Sequence, residues 1–206
     1  MPVHMDFINS FLNRDGVEGP QQTRGYIPCR PGNFYGKPTQ DPNKYTAIGV
    51  SGVTIATGVD LGQTDVPSLQ GYGICQATID KLVPYIGLKT SRAIHKLSKL
   101  PLTITKVEAD ELDSCLHLGY LNRYVRPAYD RESKIKFDDL PQEAQAAIFS
   151  ICYQKGVGGT RKGAPKTWRY FVNQQWEDAC RELIHGFNAY AARRRLEGLL
   201  LKDLKN

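Results

Sequence analysis

One carboxylic acid stands among residues that could present it to a ligand. Glu18 lies in the segment Gly16-Val17-Glu18-Gly19-Pro20. Flanking glycines let the backbone turn sharply and allow a ligand to approach the side chain closely. A carboxyl group held partly out of water at this place could act as a proton donor. The same residues are also typical of an ordinary surface turn, so this segment alone leaves both interpretations open.

A second candidate segment combines threonines with an aspartate at the end of a predicted strand. It runs from Ser51 to Gln63 as SGVTIATGVDLGQ. Strand alternation places Thr54, Ala56 and Gly58 on one face, where small side chains leave room above the sheet. Asp60 follows at the strand end, so its carboxylate either caps the next turn or points into a cleft. A threonine-rich strand followed by an aspartate turn explains the same residues without any catalytic role.

Other residue types that carry chemistry lack the spacing that would define a site. The four histidines and five cysteines are scattered, with no Cys-x-x-Cys pair, so we expect no metal site and no cofactor. The glycine-rich segment 156–163 lacks the spacing of a phosphate-binding loop and is predicted to be a mobile loop between helices. Arg193, Arg194 and Arg195 fall on adjacent faces of the last predicted helix, so we expect them to be mostly solvated.

The composition is that of a folded chain with a basic charge balance. Of 206 residues, 41% are hydrophobic and 23% charged, which excludes wholesale disorder. The net charge of +6 favours encounter with anionic polymers but does not choose among them. No apolar run approaches the roughly 20 residues of a membrane-spanning helix, so we expect no membrane insertion. The N-terminus lacks the order of a secretory signal, so we expect synthesis in the cytoplasm.

The N-terminal part is predicted to contain one helix and a small sheet. Apolar residues at helical spacing predict a first helix around residues 7–12. The stretch 19–42 is rich in glycine and proline, which predicts loop with short extended pieces. Residues 45–50 and 53–59 are rich in β-branched residues on either side of Ser51-Gly52, so we expect two short strands joined by a tight turn.

Helices are predicted for nearly everything after Cys75. A capping-box pattern from Thr105 to Glu108 opens one long helix, and a second begins near Pro141 and closes at Gly156. Three shorter helices follow, at Thr167–Asn173, Trp176–His185 and Ala189–Lys202. In the last of these we expect three leucines to face inward: Leu196, Leu199 and Leu200.

The order of elements predicts an α+β fold in one domain over residues 1–206. Its approximate lobes are an N-terminal helix with a small sheet at 1–75 and a helical lobe at 76–206.

The two candidate segments together resemble the phage-type lysozyme family, most closely the muramidase domain of the bacterial toxin pesticin. Glu18-Gly19 and Gly25-Tyr26-Ile27-Pro28 are similar to the start of that family, and 53–62 is similar to its Thr/Asp strand. The C-terminal half is similar in its order of helices, in the segments 140–156, 167–173, 176–179 and 192–197.

The resemblance implies a lysozyme-like fold with a cleft between a β lobe and a helical lobe. It also implies hydrolysis of the β-1,4 bond between N-acetylmuramic acid and N-acetylglucosamine in peptidoglycan. Glu18 falls on the general acid, Thr54 on the catalytic threonine and Asp60 on the second carboxylate. Phage lysozymes place the aspartate before the threonine, which leaves Asp41 as a competing base.

The resemblance further implies an inverting reaction, in which the two carboxyl groups lie roughly 6.5–9.5 Å apart. We expect substrate contacts from three further residues: Tyr26, Thr57 and Gln63.

Two other functions remain open at this stage. A lytic transglycosylase would use a lone glutamate and release an anhydro sugar, and a non-catalytic protein could bind anionic polymer through its basic surface. The expected partners are peptidoglycan strands and an immunity or inhibitor protein, without nucleic acid. The resemblance implies action in the periplasm or cell wall after delivery by a secretion system or a holin, as a toxin, an effector or a phage endolysin.

Overall fold

The computed structural model describes residues 3–205, and contacts among them divide the chain into two units. The helical unit comprises residues 3–19 and 117–205, and the sheet unit comprises residues 20–116. Each unit has its own cluster of buried apolar side chains. Helices predominate and the sheets are small and antiparallel, so the predicted α+β class is confirmed.

These units group the chain differently from a division at residue 75. The first helix packs in the helical unit because Ile8, Phe11 and Leu12 are buried in the same core as the central helix of that unit. Helices between residues 76 and 116 belong with the sheet because their apolar faces share its core, through side chains such as Ile79 and Leu97.

The sheet unit contains five short strands and four helices. The strands are β1 (Gln22–Tyr26), β2 (Cys29–Arg30), β3 (Thr46–Ala47), β4 (Thr54–Ala56) and β5 (Val59–Asp60). The helices are α2 (Val66–Gly71), α3 (Gln76–Leu82), α4 (Thr90–Lys99) and α5 (Lys106–Tyr120), the last ending beyond the unit boundary. Single 3₁₀ turns lie at Pro42–Lys44, Leu61–Gln63 and Val83–Tyr85.

The strands form two antiparallel sheets, ordered β1-β4-β5 and β2-β3. The predicted hairpin around Ser51-Gly52 is therefore wrong. β3 covers only two residues of the predicted strand 45–50 and pairs with β2, whereas β4 turns back into β5. β-branched residues favour an extended backbone without selecting the partner strand. Here the N–H of Gly52 donates to the carboxylate of Asp60 and not across a hairpin turn at Ser51-Gly52.

The predicted capping box at the start of α5 is confirmed. The N–H of Thr105 donates to Glu108 Oε2 at 2.8 Å, and the N–H of Glu108 donates to Thr105 Oγ1 at 3.2 Å. Each side chain thus satisfies a backbone donor of the first turn, which stabilises the helix start.

The helical unit is built from seven helices that lie entirely within its residues. They are α1 (Met5–Leu12), α6 (Arg126–Glu132), α7 (Gln142–Lys155), α8 (Val157–Gly163), α9 (Pro165–Val172), α10 (Trp176–His185) and α11 (Ala191–Leu200). A π-helical turn at Leu121–Val125 precedes α6, and a 3₁₀ turn lies at Phe137–Asp139. The predicted first helix, the helix starting after Pro141 and the stop at Gly156 are confirmed. Residues 144–152 of α7 are all buried, so this helix is the centre of the unit's core.

Two expectations for this unit are wrong. The glycine-rich segment 156–163 contains α8 instead of a mobile loop, since Thr160 anchors it by donating its hydroxyl to the carbonyls of Ile151 and Gly156. In α11 the prediction is wrong for Leu199, which is 45% exposed, whereas Leu196 and Leu200 are partly buried and pack against the helical core. The buried side chains of α11 are charged: Arg193, Arg194 and Glu197.

No helix within residues 3–205 is long and apolar enough to cross a membrane. Over the same residues, no group of three or more His, Cys, Asp or Glu side chains is arranged to hold a metal ion.

Candidate active site

The segment after α1 holds Glu18 in a defined turn. The N–H of Glu18 donates to the carbonyl of Leu12 at 3.1 Å, and the N–H of Gly19 donates to the carbonyl of Arg14 at 3.2 Å. Gly16 and Gly19 have φ angles of 85° and 87°, a conformation in which side chains other than glycine are strained. The predicted sharp exit from the helix is thus confirmed, and it depends on both glycines.

The carboxylate of Glu18 is not free on the surface. Arg193 donates from Nη1 to Glu18 Oε1 at 2.6 Å and from the same nitrogen to the carbonyl of Val17 at 3.3 Å. The side chain of Glu18 is 18% exposed and that of Arg193 is 5% exposed. The interpretation of Glu18 as an ordinary surface residue is therefore wrong, because a buried guanidinium fixes its carboxyl group.

Arg193 belongs to a buried set of charged and polar residues in the helical unit. We call it the Arg193 network, and its members are Glu18, Ser150, Arg193, Arg194 and Glu197. Arg193 Nε donates to Glu197 Oε1 at 3.2 Å, and its Nη2 donates to the carbonyl of Ser150 at 3.0 Å. Ser150 donates its hydroxyl to Glu197 Oε1 at 2.6 Å. Arg194 donates to the other oxygen of Glu197 and to the side chain of Gln154.

Burial shifts the ionisation of this network. It raises the pKa of Glu197, an effect opposed by Arg194, Arg193 and the hydrogen bond from Ser150. Burial likewise lowers the pKa of Arg194, an effect opposed by Glu197. Buried charges of this kind need partners of opposite charge and hydrogen bonds, which Glu197, Arg193 and Arg194 supply to one another. One donor is left over, since Nε of Arg194 is buried without a hydrogen-bond partner among the described residues.

The expectation that the arginines of α11 are solvated is wrong for two of the three. Arg193 and Arg194 are buried, and Arg195 is exposed. The sequence contains a signal for this, since Glu197 lies three and four residues after Arg194 and Arg193, at the spacing of helical ion pairs. That spacing does not indicate that the pairs face inward.

In the sheet unit, Thr54 and Asp60 are directly opposite each other. They are paired residues in the antiparallel ladder of β4 and β5, followed by the pair Ile55 and Val59. Side chains of directly opposed residues project from the same face of a sheet. Thr54 is 5% exposed, and Gly58 lies in the connecting turn instead of on the predicted strand.

The carboxylate of Asp60 is held by two backbone N–H groups. Gly62 donates to Asp60 Oδ1 at 2.8 Å and Gly52 donates to the same oxygen at 3.1 Å. Of the two alternatives for Asp60, the structure shows the cap, because its side chain accepts from Gly62 at the start of the 3₁₀ turn Leu61–Gln63; a cleft-facing role stays a prediction. Burial raises the pKa of Asp60, while the bonds from Gly62 and Gly52 and the charge of Lys89 oppose that rise.

The three predicted substrate contacts all lie in the sheet unit. Tyr26 is half-buried, pairs with Thr54 in the ladder of β1 and β4, and has its ring 5.9 Å from that of Tyr35. Gln63 is exposed and accepts a hydrogen bond from Lys89 at 3.1 Å. Thr57 is only 1% exposed. Substrate binding by these residues stays a prediction.

Thr57 contacts a residue that sequence reasoning missed. Asp113 accepts a bond from the N–H of Thr57 at 2.9 Å and one from its hydroxyl at 2.6 Å. Asp113 lies on α5, 56 positions away, and no local pattern links the two.

The competing base Asp41 is exposed. It accepts a bond from the N–H of Asn43 at 3.0 Å, as the cap of the turn Pro42–Lys44.

A family model matches most of the chain. The model of the Pesticin family, described as a bacterial toxin homologue of phage lysozyme, C-terminal part, matches residues 3–177. The matched range includes Glu18, Thr54 and Asp60, and it ends before α11 begins. No curated protein matches the chain.

Proposed function

This chain belongs to the Pesticin family of phage lysozyme homologues, and from that premise we propose that it is a muramidase-type peptidoglycan hydrolase. The proposed reaction is hydrolysis of the β-1,4 bond between N-acetylmuramic acid and N-acetylglucosamine, with inversion at the anomeric carbon. The observation that carries the proposal is the pairing of Thr54 directly opposite Asp60 in a chain of this family.

Hydrolysis of a glycosidic bond needs a proton for the leaving oxygen and a carboxylate that activates water. In our proposal Glu18 donates the proton. Asp60, with the hydroxyl of Thr54, holds and activates the water. Acid–base catalysis of this kind contributes about 10²- to 10⁴-fold to a rate.

Asp60 suits the role of base for two physical reasons. The N–H groups of Gly52 and Gly62 both point at its carboxylate, which fixes the orientation of the acceptor oxygen. Burial raises its pKa, which makes its carboxylate a stronger base than an exposed aspartate. Asp41 lacks this support, since it is exposed and caps a surface turn.

Glu18 suits the role of acid because its carboxyl group has a defined position. Arg193 donates to one oxygen of Glu18 and to the carbonyl of Val17, so one guanidinium holds both the side chain and the turn. A catalytic group that is already oriented before substrate binds avoids the entropy cost of ordering it during the reaction.

We further propose that the enzyme acts on bacterial walls as an antibacterial toxin or effector, or as a phage endolysin. The word toxin in the family description supports the first of these. In that role it would reach the periplasm or wall by a secretion system, or by a holin in the phage case. A producing bacterium would then carry an immunity or inhibitor protein. Affinity capture from that strain tests the partner, and recovery of no inhibitor from its periplasm would count against it.

Muropeptide analysis tests the reaction itself. Purified peptidoglycan is digested with the wild type, Glu18→Gln and Asp60→Asn, with Asp41→Asn as the matched control, and products are identified by mass spectrometry. We expect reducing muropeptides from the wild type and Asp41→Asn and none from the other two.

Each alternative has its own outcome in this experiment. Anhydro products, one water lighter, would identify a lytic transglycosylase, in which Thr54 and Asp60 have no role in activating water. Wild-type protein that binds walls but releases no sugar would identify a non-catalytic binder. Activity lost in Asp41→Asn and kept in Asp60→Asn would move the base to residue 41.

A further inference from the structure

The hairpin that carries Thr54 and Asp60 turns through a strained backbone conformation. Where β4 turns back into β5, Ala56 at the end of β4 has a φ angle of 49° and Gly58 in the turn has one of 77°. Glycine adopts such angles readily, whereas an alanine there is strained and persists only where its surroundings hold it. The two strands span three and two residues, so they supply few ladder bonds to hold this turn.

Asp113, a residue of α5, forms hydrogen bonds to Thr57 in the turn between β4 and β5. Its Oδ1 accepts the N–H of Thr57 at 2.9 Å, and its Oδ2 accepts the hydroxyl of Thr57 at 2.6 Å. Asp113 is 5% exposed and Thr57 is 1% exposed, so water competes little for these bonds. Hydrogen bonds to an ionised carboxylate are short and about twice as strong as those between neutral groups.

The same carboxylate also ties down the neighbouring strand. Gln21 donates from Nε2 to Asp113 Oδ2 at 2.6 Å. The next residue, Gln22, begins β1 and pairs with Ala56, the strained residue that ends β4 before the turn. Asp113 therefore connects α5 to β1 and to the turn of the hairpin at the same point.

Thr57 stands midway between the two candidate catalytic residues, three positions after Thr54 and three before Asp60. Because the hairpin is so short, a change in its turn alters the ladder in which these two residues are paired. The position of the Asp113 carboxylate therefore affects the positions of both Thr54 and Asp60.

We propose that Asp113 is a positioning residue for the reaction. It accepts hydrogen bonds from the N–H and the hydroxyl of Thr57, and these bonds hold Thr54 and Asp60 in the arrangement that activates water. The inference rests on the proposed function, since it concerns the residues that activate water. It also gives Thr57 a role within the protein in place of the predicted contact with substrate.

Three variants and one control test this inference in the full chain. Thr57→Val removes the hydroxyl and keeps the shape, Thr57→Ser keeps the hydroxyl, and Asp113→Asn removes the charge. The matched control is Asp110→Asn, one turn earlier on α5, whose carboxylate also accepts from Gln21 but makes no bond to the turn among those described. The kinetic constants are measured on soluble glycan strands prepared from peptidoglycan, and thermal unfolding is measured alongside.

We expect Thr57→Val and Asp113→Asn to lower kcat about 10- to 100-fold, with KM close to that of the wild type. The thermal midpoint should fall as well, because both changes weaken hydrogen bonds between buried groups. Thr57→Ser and Asp110→Asn should stay within about twofold of the wild type. A lower thermal midpoint with unchanged kcat in Thr57→Val would overturn the inference, because it would show a role in stability only.

The carboxyl carbon signal of Asp60 in an NMR spectrum supplies a readout that does not depend on turnover. It should shift in Thr57→Val and stay in place in Asp110→Asn, and equal spectra in both variants would also overturn the inference. Failure of the proposed function is seen separately, as a wild type that releases no sugar.

Discussion

Arg193 and Glu18 are joined by a 2.6 Å hydrogen bond across 175 positions of the sequence. The bond connects α11 to the turn that follows α1, both within the helical unit. Leu196 of α11 also packs close to this turn, since a Cβ atom added at Gly16 would lie only 3.3 Å from its side chain. The proposed acid is therefore held by a side chain of α11.

The first prediction concerns Arg193. Arg193→Met removes the only partner described for Glu18 Oε1 and leaves Glu197 with one arginine fewer. Removing one member of a buried ion pair costs roughly 3–5 kcal/mol, so we expect a loss of that size in urea unfolding, together with reduced wall clearing. Arg193→Lys should recover only part of both, since an ammonium lacks the planar fork of a guanidinium. The exposed Arg195→Met is the control and should match the wild type.

The second prediction concerns Glu197. Glu197→Gln leaves Arg193 and Arg194 buried without their shared carboxylate, and we expect a loss of about 3 kcal/mol in the free energy of unfolding. The double variant Arg194→Met with Glu197→Leu removes a charge together with its partner. Its loss in free energy of unfolding should therefore be smaller than the summed losses of Arg194→Met alone and Glu197→Leu alone. Additive losses in urea unfolding would contradict the idea that these side chains act as one network.

The third prediction concerns the pH dependence of stability at Asp60. Burial raises its pKa in the folded chain, so between the ordinary and the raised value the folded chain binds more protons than the unfolded chain. The stability contributed at this residue is therefore fully present below the ordinary pKa and is lost as pH rises through the folded pKa.

Asp60→Asn should remove that slope while abolishing hydrolysis. The amide oxygen can still accept from Gly52 and Gly62, so we expect a free energy of unfolding at neutral pH equal to or above that of the wild type. Urea unfolding of both proteins from acid to neutral pH measures the difference. A variant that is less stable by the same amount at every pH would disprove this account.

The fourth prediction concerns two glycines that touch each other beside Asp60. A Cβ atom on Gly52 would lie 2.6 Å from the backbone of Gly62 and 2.6 Å from the carbonyl oxygen of Leu88. No side chain fits there, so Gly52→Ala must push apart the two N–H donors that hold the carboxylate. We expect lower stability, by roughly 1–3 kcal/mol, and a marked loss of hydrolysis. Gly32→Ala, where an added Cβ meets nothing within 4 Å, is the control, and an equal effect there would refute the prediction.

Local chemistry explains which parts of the fold could be predicted. The first helix, the capping box at Thr105 and Glu108, and the role of Asp60 as a cap depend on residues within a few positions of each other. The predicted hairpin between 45–50 and 53–59 was wrong because β-branched residues indicate an extended backbone but not its partner strand. Here the partner is β2, earlier in the chain.

The parts of the candidate site that could not be predicted depend on long-range contacts. Asp113 lies on α5 with nothing in its neighbourhood to distinguish it from Asp110, which is exposed to solvent. Arg193 and Arg194 occur in a run of three arginines, a pattern typical of a solvated face. Only the packing of α11 decides which of these charges is buried.

The bond between the turn after α1 and α11 has a consequence for biosynthesis. A ribosome adds Arg193 to the chain 175 positions after Glu18. The guanidinium that binds the carboxyl group of the proposed acid is therefore absent throughout that part of translation. We expect a nascent chain that has not yet reached Arg193 to hold Glu18 without this partner.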